Sequence, residues 1–358
     1  MYNKSSHAPL LSLVLCLAML LSMLVGCGKQ DPPMQAKKVS ENYFNTASVV
    51  YSYAGDDEAV FLDNFRLVEG MLKEYHQLFD IYYEYKGENK ETINNIKTIN
   101  KNAGVSAVKV DRRIIDLLLF CKEIYALTDG KTNIAQGAML KLWHDERENA
   151  LDNPTSPELW RLPDRDALIE ASSHACMDNL IIDEAEGTVY ISDPKMQLDV
   201  GAVAKGYATE RIAEALIEKG VTSYVLNIGG NIRILGSKPS GEHHQIHIRN
   251  PKDPYSKNYS YSTTASDTSV VTSGNYERCY FVNGERYHHI IDQDALYPSE
   301  YFDSVSIFTK DSGLADALST ALFCMSEQDG RALISSLDCK VEVIWIYPDG
   351  RVSKTDGV

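Results

Sequence analysis

The chain is 358 residues long, 44% hydrophobic, and carries a formal net charge of −15. That acidity argues against nucleic acid and anionic lipid surfaces as partners, but leaves room for a local basic pocket that takes a phosphate ligand. Length and apolar content suffice for a sizeable core in one large domain or two fused lobes, and no internal repeat or low-complexity tract is evident.

At the start, Lys4 precedes the apolar run APLLSLVLCLAMLLSMLVGC, which reads as a signal-peptide core over residues 1–26. It ends in Leu24-Val25-Gly26-Cys27, which resembles the lipobox of bacterial lipoproteins. The resemblance implies cleavage before Cys27, which then becomes the lipid-bearing first residue; an uncleaved anchor with an incidental cysteine is the alternative. Both readings put the remainder on the extracytoplasmic face of the membrane. Residues 27–42 read as a polar tether with a proline pair, too poor in apolar residues to fold, so the globular part is expected over 43–358. Cys121, Cys176, Cys279, Cys324 and Cys339 lack CxxC or metal-like spacing and are expected as core thiols without disulfides.

From Asp57 to Tyr82, Val68, Met71, Leu72, Tyr75, Leu78 and Phe79 follow helical spacing. NNIKTIN reads as a polar, Asn-rich segment. Further helices are expected over Asp111 to Leu127, over Gly137 to Arg147, and from Asp164, an N-cap after Pro163. The period then changes to two: NLIID and TVYIS flank EAEG as a hairpin. A helix begins near Lys205, and TSYVLNI, IRILG, HQIHI, TSVVTS, RCYFVNGERYHHII and SVSIFT read as a continuing sheet. Helices from Ser312 to Met325 and near Asp329 to Ser336, then KVEVIWIYPDGRV, close the chain. Helices gathered first, then strands mixed with helices, predict an α+β fold with a mixed sheet.

In LDVGAVAKGYATERIAEALIEKG, Lys205 sits between glycine-bounded turns at a helix start, where unpaired amides and the helix dipole favour an anion. The stretch is neither a P-loop nor a dinucleotide fingerprint, and a buried helix start with a snorkelling lysine fits it as well. Asp316 and Thr320 stand at i, i+4 in GLADALSTALF, so both oxygens project from one helix face and could serve Mg²⁺, a hard cation. A surface polar stripe is the other reading. Of His288 and His289, adjacent on a strand, only one can face a given cleft. VTSGNYER offers Thr272, Ser273, Gly274 and Arg278, a composition suited to holding phosphate or peptide and also ordinary for a hairpin.

These signals coincide in one family. LDVGAVAKGYA at Leu198 to Ala208, NIGGN at Asn227 to Asn231, TSGNYER at Thr272 to Arg278, HHIID at His288 to Asp292 and ADALST at Ala315 to Thr320 resemble, in order, the motifs of the ApbE-type flavin transferases, the FAD:protein FMN transferases. The resemblance covers almost the entire mature length. It implies FAD as substrate, contacted by Asp199 and Lys205, with Phe44, Tyr82, Ile290 and the segment Thr132-Asn133-Ile134 taking other flavin or adenine contacts. It also implies Mg²⁺ held by the carbonyl of Ala202 with Asp316 and Thr320, and His289 as base, with Asp292 orienting it or the metal. The expected reaction splits FAD, transfers FMN to a Thr or Ser hydroxyl on an extracytoplasmic acceptor protein, and releases AMP. Three positions depart from the pattern: Asn133 where many members have Asp, Gln293 for a common proline, and Leu296 for a glycine. The competing readings are an FAD pyrophosphatase, in which water replaces the hydroxyl, and a tethered flavin- or solute-binding lipoprotein. Mere binding would not need a base such as His289.

Overall fold

The computed structural model describes residues 31–87 and 89–358. The expected signal peptide and the Cys27 lipidation site lie outside the described residues. Eight strands form one antiparallel sheet whose spatial order follows the chain: β1 (Gln35–Lys38), β2 (Ser48–Ser52), β3 (Tyr224–Ile228), β4 (Asn231–Leu235), β5 (Ser269–Gly274), β6 (Ser304–Thr309), β7 (Glu342–Ile346) and β8 (Val352–Lys354). Six helices are inserted between β2 and β3: α1 (Glu58–Phe79), α2 (Ile96–Lys101), α3 (Arg112–Leu127), α4 (Gly137–Asp152), α5 (Arg165–Ser172) and α6 (Ala204–Glu218). Two more, α7 (Ser312–Phe323) and α8 (Glu327–Ser335), connect β6 to β7. The class is α+β, as expected.

Local chemistry explains the boundaries. Asp164 and Asp311 cap α5 and α7 by accepting from Ala167 N and Leu314 N. The segment read only as polar and Asn-rich forms the short helix α2. Asn95 accepts from Thr98 N at 3.1 Å while the Thr98 hydroxyl accepts from Asn95 N at 3.4 Å, a reciprocal cap that starts a helix despite the composition.

Two other expectations change. Gln35–Lys38, inside the segment read as tether, pairs antiparallel with β2, so order begins before Tyr43. An edge strand needs only backbone pairing on one side, and the lysines of QAKK suit such an edge. His244–Ile248 and Cys279–Val282 do not continue the sheet. They form two-stranded ribbons with Tyr261–Ala265 and Glu285–His288, because β4 pairs directly with β5, Ser269 facing Arg233.

One sheet face carries Val271, Val305, Ile307, Val343 and Trp345 against Ala315, Leu318 and Leu322 of α7. The other carries Val225, Ile234, Phe308 and Ile344 beneath Ile246 and Ile248 of the first ribbon. Cover on both faces is why all six residues of β6 are buried. The largest cluster packs α1, α3 and α6 together. Cys121, Cys176, Cys279, Cys324 and Cys339 are free, but only Cys121 and Cys324 are core thiols, Cys279 being half-buried and Cys176 and Cys339 exposed; among the described residues no helix is long and apolar enough to cross a membrane.

Candidate active site

α6 and α7 meet at Gly206. A Cβ there would stand 2.3 Å from the Ser312 carbonyl oxygen and 2.4 Å from Asp316 Cβ, so only glycine permits this approach. It brings the Gly206 N–H to Asp316 Oδ2 at 2.7 Å. Lys205 Nζ lies 3.5 Å from Asp316 Oδ1 and donates to Asn231 Oδ1 at 3.2 Å. The Asn231 amide nitrogen is buried without a protein partner, a donor left over for an anionic oxygen. Asp316 is 5% exposed, which rules out the surface-stripe reading, while Thr320, one turn on, is half-buried.

The turn ahead of α6 is held from a distance. Asn100 of α2 accepts from Leu198 N at 2.7 Å and donates to the Leu198 carbonyl at 2.9 Å. Asp199 N donates to the Ile134 carbonyl at 2.8 Å, and Asp199 Oδ1 accepts from Gly201 N at 2.8 Å. Ala202 is half-buried in this turn.

Asp199 and His289 each keep some accessible surface yet are ringed by protein, and it is desolvation that moves their protonation. It raises the Asp199 carboxyl against the opposing pull of Gly201 N, Arg278 and His144. The His289 imidazole falls well below its ordinary value through desolvation first, then the charges of Arg278, Arg147 and Lys205. Tyr82, pushed up to about 12 by desolvation, senses Asp199, Arg147 and Arg278 and lies 4.9 Å ring to ring from His144. Asp199, His289, Lys205, Tyr82, Arg147, Arg278 and His144 thus lie within one electrostatic neighbourhood, in which the Tyr82–His144 ring contact and the Lys205–Asn231–Asp316 group are direct contacts. Arg147, His144, Asn231 and Asn100 were not singled out from sequence. Only Asn231 carried a signal, inside NIGGN.

Other expected residues serve the frame. Thr132 gives its hydroxyl to the Ala317 carbonyl at 2.8 Å, and Ile134 is core. Asn133 spends its amide on the Ala175 carbonyl and on Ala135 N, so the change from Asp leaves a side chain that orders its own loop. Ile290 packs in the core beneath α7. Phe44, with φ 56°, donates its N–H to His76 Nδ1 at 3.3 Å and meets that ring edge-on.

The strand ends at His288, and His289 stands in the bend beyond it, so a change of chain direction rather than strand alternation separates the two rings. His288 Nε2 donates to the Ser299 carbonyl at 2.9 Å and its Nδ1 accepts from Ile290 N at 3.2 Å. His289 Nδ1 is buried without a partner, so no protein group dictates its tautomer. Asp292 does not bond it: Asp292 Oδ1 accepts from Asp294 N at 3.0 Å and lies 3.8 Å from Lys131 Nζ, which also holds Asp294 at 2.6 Å. Leu296 keeps a left-handed turn, φ 63°, its N–H on the Asp292 carbonyl and its own carbonyl accepting from Trp143 Nε1. The loop therefore retains the glycine-like shape despite the substitution. A cavity of about 360 Å³ on the His288 side, lined by Asn275, Arg286, Ser299 and Asp303, shares none of the Lys205, Asp316 or Thr320 side chains.

Fold and site together describe an enzyme in which cationic groups and a neutral imidazole lie near a buried carboxylate. The ApbE family model matches residues 51–345. The FAD:protein FMN transferase of Treponema pallidum is 34% identical over 276 residues, 74% of this chain and 73% of that one. Its counterpart from Klebsiella pneumoniae is 30% identical over 290 residues, 80% and 85% of the respective chains. The crystal structure of the ApbE protein from Thermotoga maritima superposes with a TM-score of 0.73 at 25% identity, covering 90% of this chain and 98% of that one. The chain belongs to the ApbE family and is a transferase.

Proposed function

We propose that the protein is an Mg²⁺-dependent FAD:protein FMN transferase that attaches FMN through a phosphoester to a Thr or Ser of an extracytoplasmic acceptor and releases AMP. The observation that carries this reading is the Lys205–Asn231–Asp316 group at the start of α6, with its spare buried Asn231 donor, within electrostatic reach of a neutral His289.

Lys205 and the free Asn231 amide donor are suited to the pyrophosphate, with Arg147 and Arg278 adding positive charge. His289 takes the proton from the acceptor hydroxyl. The hydroxyl oxygen bonds to the FMN phosphorus as the bond to the bridging oxygen breaks, and that electron pair leaves with AMP. Among the described residues no cluster of three or more His, Cys, Asp or Glu could hold a metal. A cation here would rely on one carboxylate plus neutral oxygens, which suits Mg²⁺, a hard ion that keeps water and phosphate in its shell. Asp316, Thr320 and the Ala202 carbonyl would hold it, and Asp316 Oδ1, only 3.5 Å from Lys205, has lone pairs to give. Bound Mg²⁺ would neutralise phosphate charge.

The test is mass spectrometry of a candidate acceptor after incubation with the soluble fragment, FAD and Mg²⁺, with AMP and free FMN followed in parallel. An acceptor heavier by one FMN, with AMP formed in step, is expected. AMP with free FMN across acceptors bearing a flavinylation threonine would favour the pyrophosphatase reading. Lipid anchoring through Cys27 belongs to the same proposal, supported by Leu24-Val25-Gly26-Cys27 after the apolar run. The membrane-bound form should carry an acylated N-terminal Cys27, and an intact Met1 would overturn that part.

A further inference from the structure

We propose that Glu210, which the proposed reaction does not use, is a positioning residue that holds the phosphate-handling groups in register; this rests on the reading of Lys205, Asn231 and Asp316 given above. Glu210 is 6% exposed on α6, and its Oε2 accepts from two donors on two other elements: Arg233 Nε of β4 at 3.1 Å, and Ser312 N at the start of α7 at 2.8 Å. Arg233 is 1% exposed, gives Nη1 to the Ile234 carbonyl at 2.6 Å and meets Asp267 Oδ1 at 3.6 Å.

The three elements joined by this one oxygen are those that carry the site. α6 brings Lys205, α7 brings Asp316 and Thr320, and β4 brings Asn231, two residues before Arg233 and therefore on the same strand face. Glu210 and Gly206 are one turn apart on α6, as are Ser312 and Asp316 on α7. The contacts Gly206 N to Asp316 Oδ2 and Ser312 N to Glu210 Oε2 are thus two rungs of one helix–helix ladder, the first beside Lys205 and the second a turn further along. An ion pair this deep is a poor source of net stability, because desolvation of both ions consumes most of their attraction, and an apolar pair of similar volume often serves the fold as well. What a carboxylate adds is the ability to accept from a strand and a helix at once, which ties the distance between Lys205 and Asn231 to that between Lys205 and Asp316.

The test compares the wild type with Glu210→Gln and with the double variant Glu210→Leu/Arg233→Met. Three readouts are needed: thermal unfolding, FAD affinity by quenching of flavin fluorescence with and without Mg²⁺, and the half-saturating Mg²⁺ concentration for turnover. The double variant removes both charges and both ties, so it should unfold near the wild-type temperature while binding FAD and responding to Mg²⁺ about tenfold more weakly. Glu210→Gln should fall between the two in FAD affinity and Mg²⁺ response but unfold below both, because it leaves the Arg233 charge buried without its partner. A folded variant with wild-type FAD affinity and wild-type Mg²⁺ response would overturn the proposal and leave Glu210 a residue of the fold alone. Should the double variant not fold, the same wild-type values in Glu210→Gln would overturn it equally. Failure of the metal reading appears elsewhere, as a wild type indifferent to Mg²⁺; the clasp is then scored on FAD affinity without the metal.

Discussion

Burial drives both neighbouring histidines toward the neutral ring, His288 to about 4 and His289 well below its ordinary value, yet only His289 feels the charges of Lys205, Arg147 and Arg278. A base whose folded pKa is depressed is already deprotonated at neutral pH and loses its competence only when acid reaches that lower value. The acid limb of kcat/KM, which reports the free enzyme, is therefore expected below pH 6.5 in a titration of FMN transfer. A limb at 6.5 or above would place the base on another group. For Asp316, the informative change is Asp316→Asn, which keeps an acceptor for the Gly206 N–H but removes the charge. Turnover should fall by about 100-fold or more with the fold retained, as circular dichroism would confirm, and undiminished Mg²⁺-dependent turnover would remove Asp316 from the metal set. Lys205, His289 and Asp316 are each ambiguous on chemistry alone, with an ordinary structural reading beside the functional one, and the resemblance carried by five ordered motifs is what singles them out. Arg147 and His144 were not singled out, because in KLWHDERENA they look like the solvated face of a helix, and only their place near His289 and Asp199 in the fold distinguishes them.

The meeting of α6 and α7 has a sharp steric limit. Gly206→Ala would place a methyl 2.3 Å from the Ser312 carbonyl oxygen, a backbone atom that cannot swing aside, so the helices must part. Overpacking of this kind costs about 1–3 kcal/mol, and here it also stretches the Gly206–Asp316 hydrogen bond. Thermal unfolding should show the loss, and FAD binding should weaken beyond what the lower stability explains. Unchanged unfolding would mean that the helices have slack. Helix and strand periods were readable in the sequence to within a few residues at most ends, since apolar spacing and caps are local properties. The ribbons and β1 were not, because whether a strand joins the main sheet depends on which partner already occupies the neighbouring edge, a non-local matter that HQIHI and QAKK do not encode. α2 hid for a different reason: its stability comes from the Asn95–Thr98 cap and from burial of Ile96 and Ile99, not from helix-favouring residues.

At the scale of the molecule, the buried His288 couples stability to acidity. Its folded pKa of about 4 lies below the ordinary 6.5, so the unfolded chain binds the extra proton between those values. The neutral ring's contribution is complete above pH 6.5 and is lost as the pH falls toward 4, by roughly 3 kcal/mol at the outside. Urea unfolding at pH 7.5 and 4.5 should show a loss of that order, and His288→Gln should flatten part of it. An equal acid loss in that variant would assign the effect to other groups.

The eight strands lie side by side in chain order, yet β2 and β3 are separated by the whole helical insertion before Ser52 can face Tyr224. Synthesis therefore delivers the first two strands long before the edge they need exists. Closing so long a loop carries an entropic charge that is met only when the inserted helices have collapsed and drawn its ends together. The N-terminal pair thus cannot join the sheet before the insertion and β3 have been made, so the end of the chain that is synthesised first must wait for a partner that lies far along it.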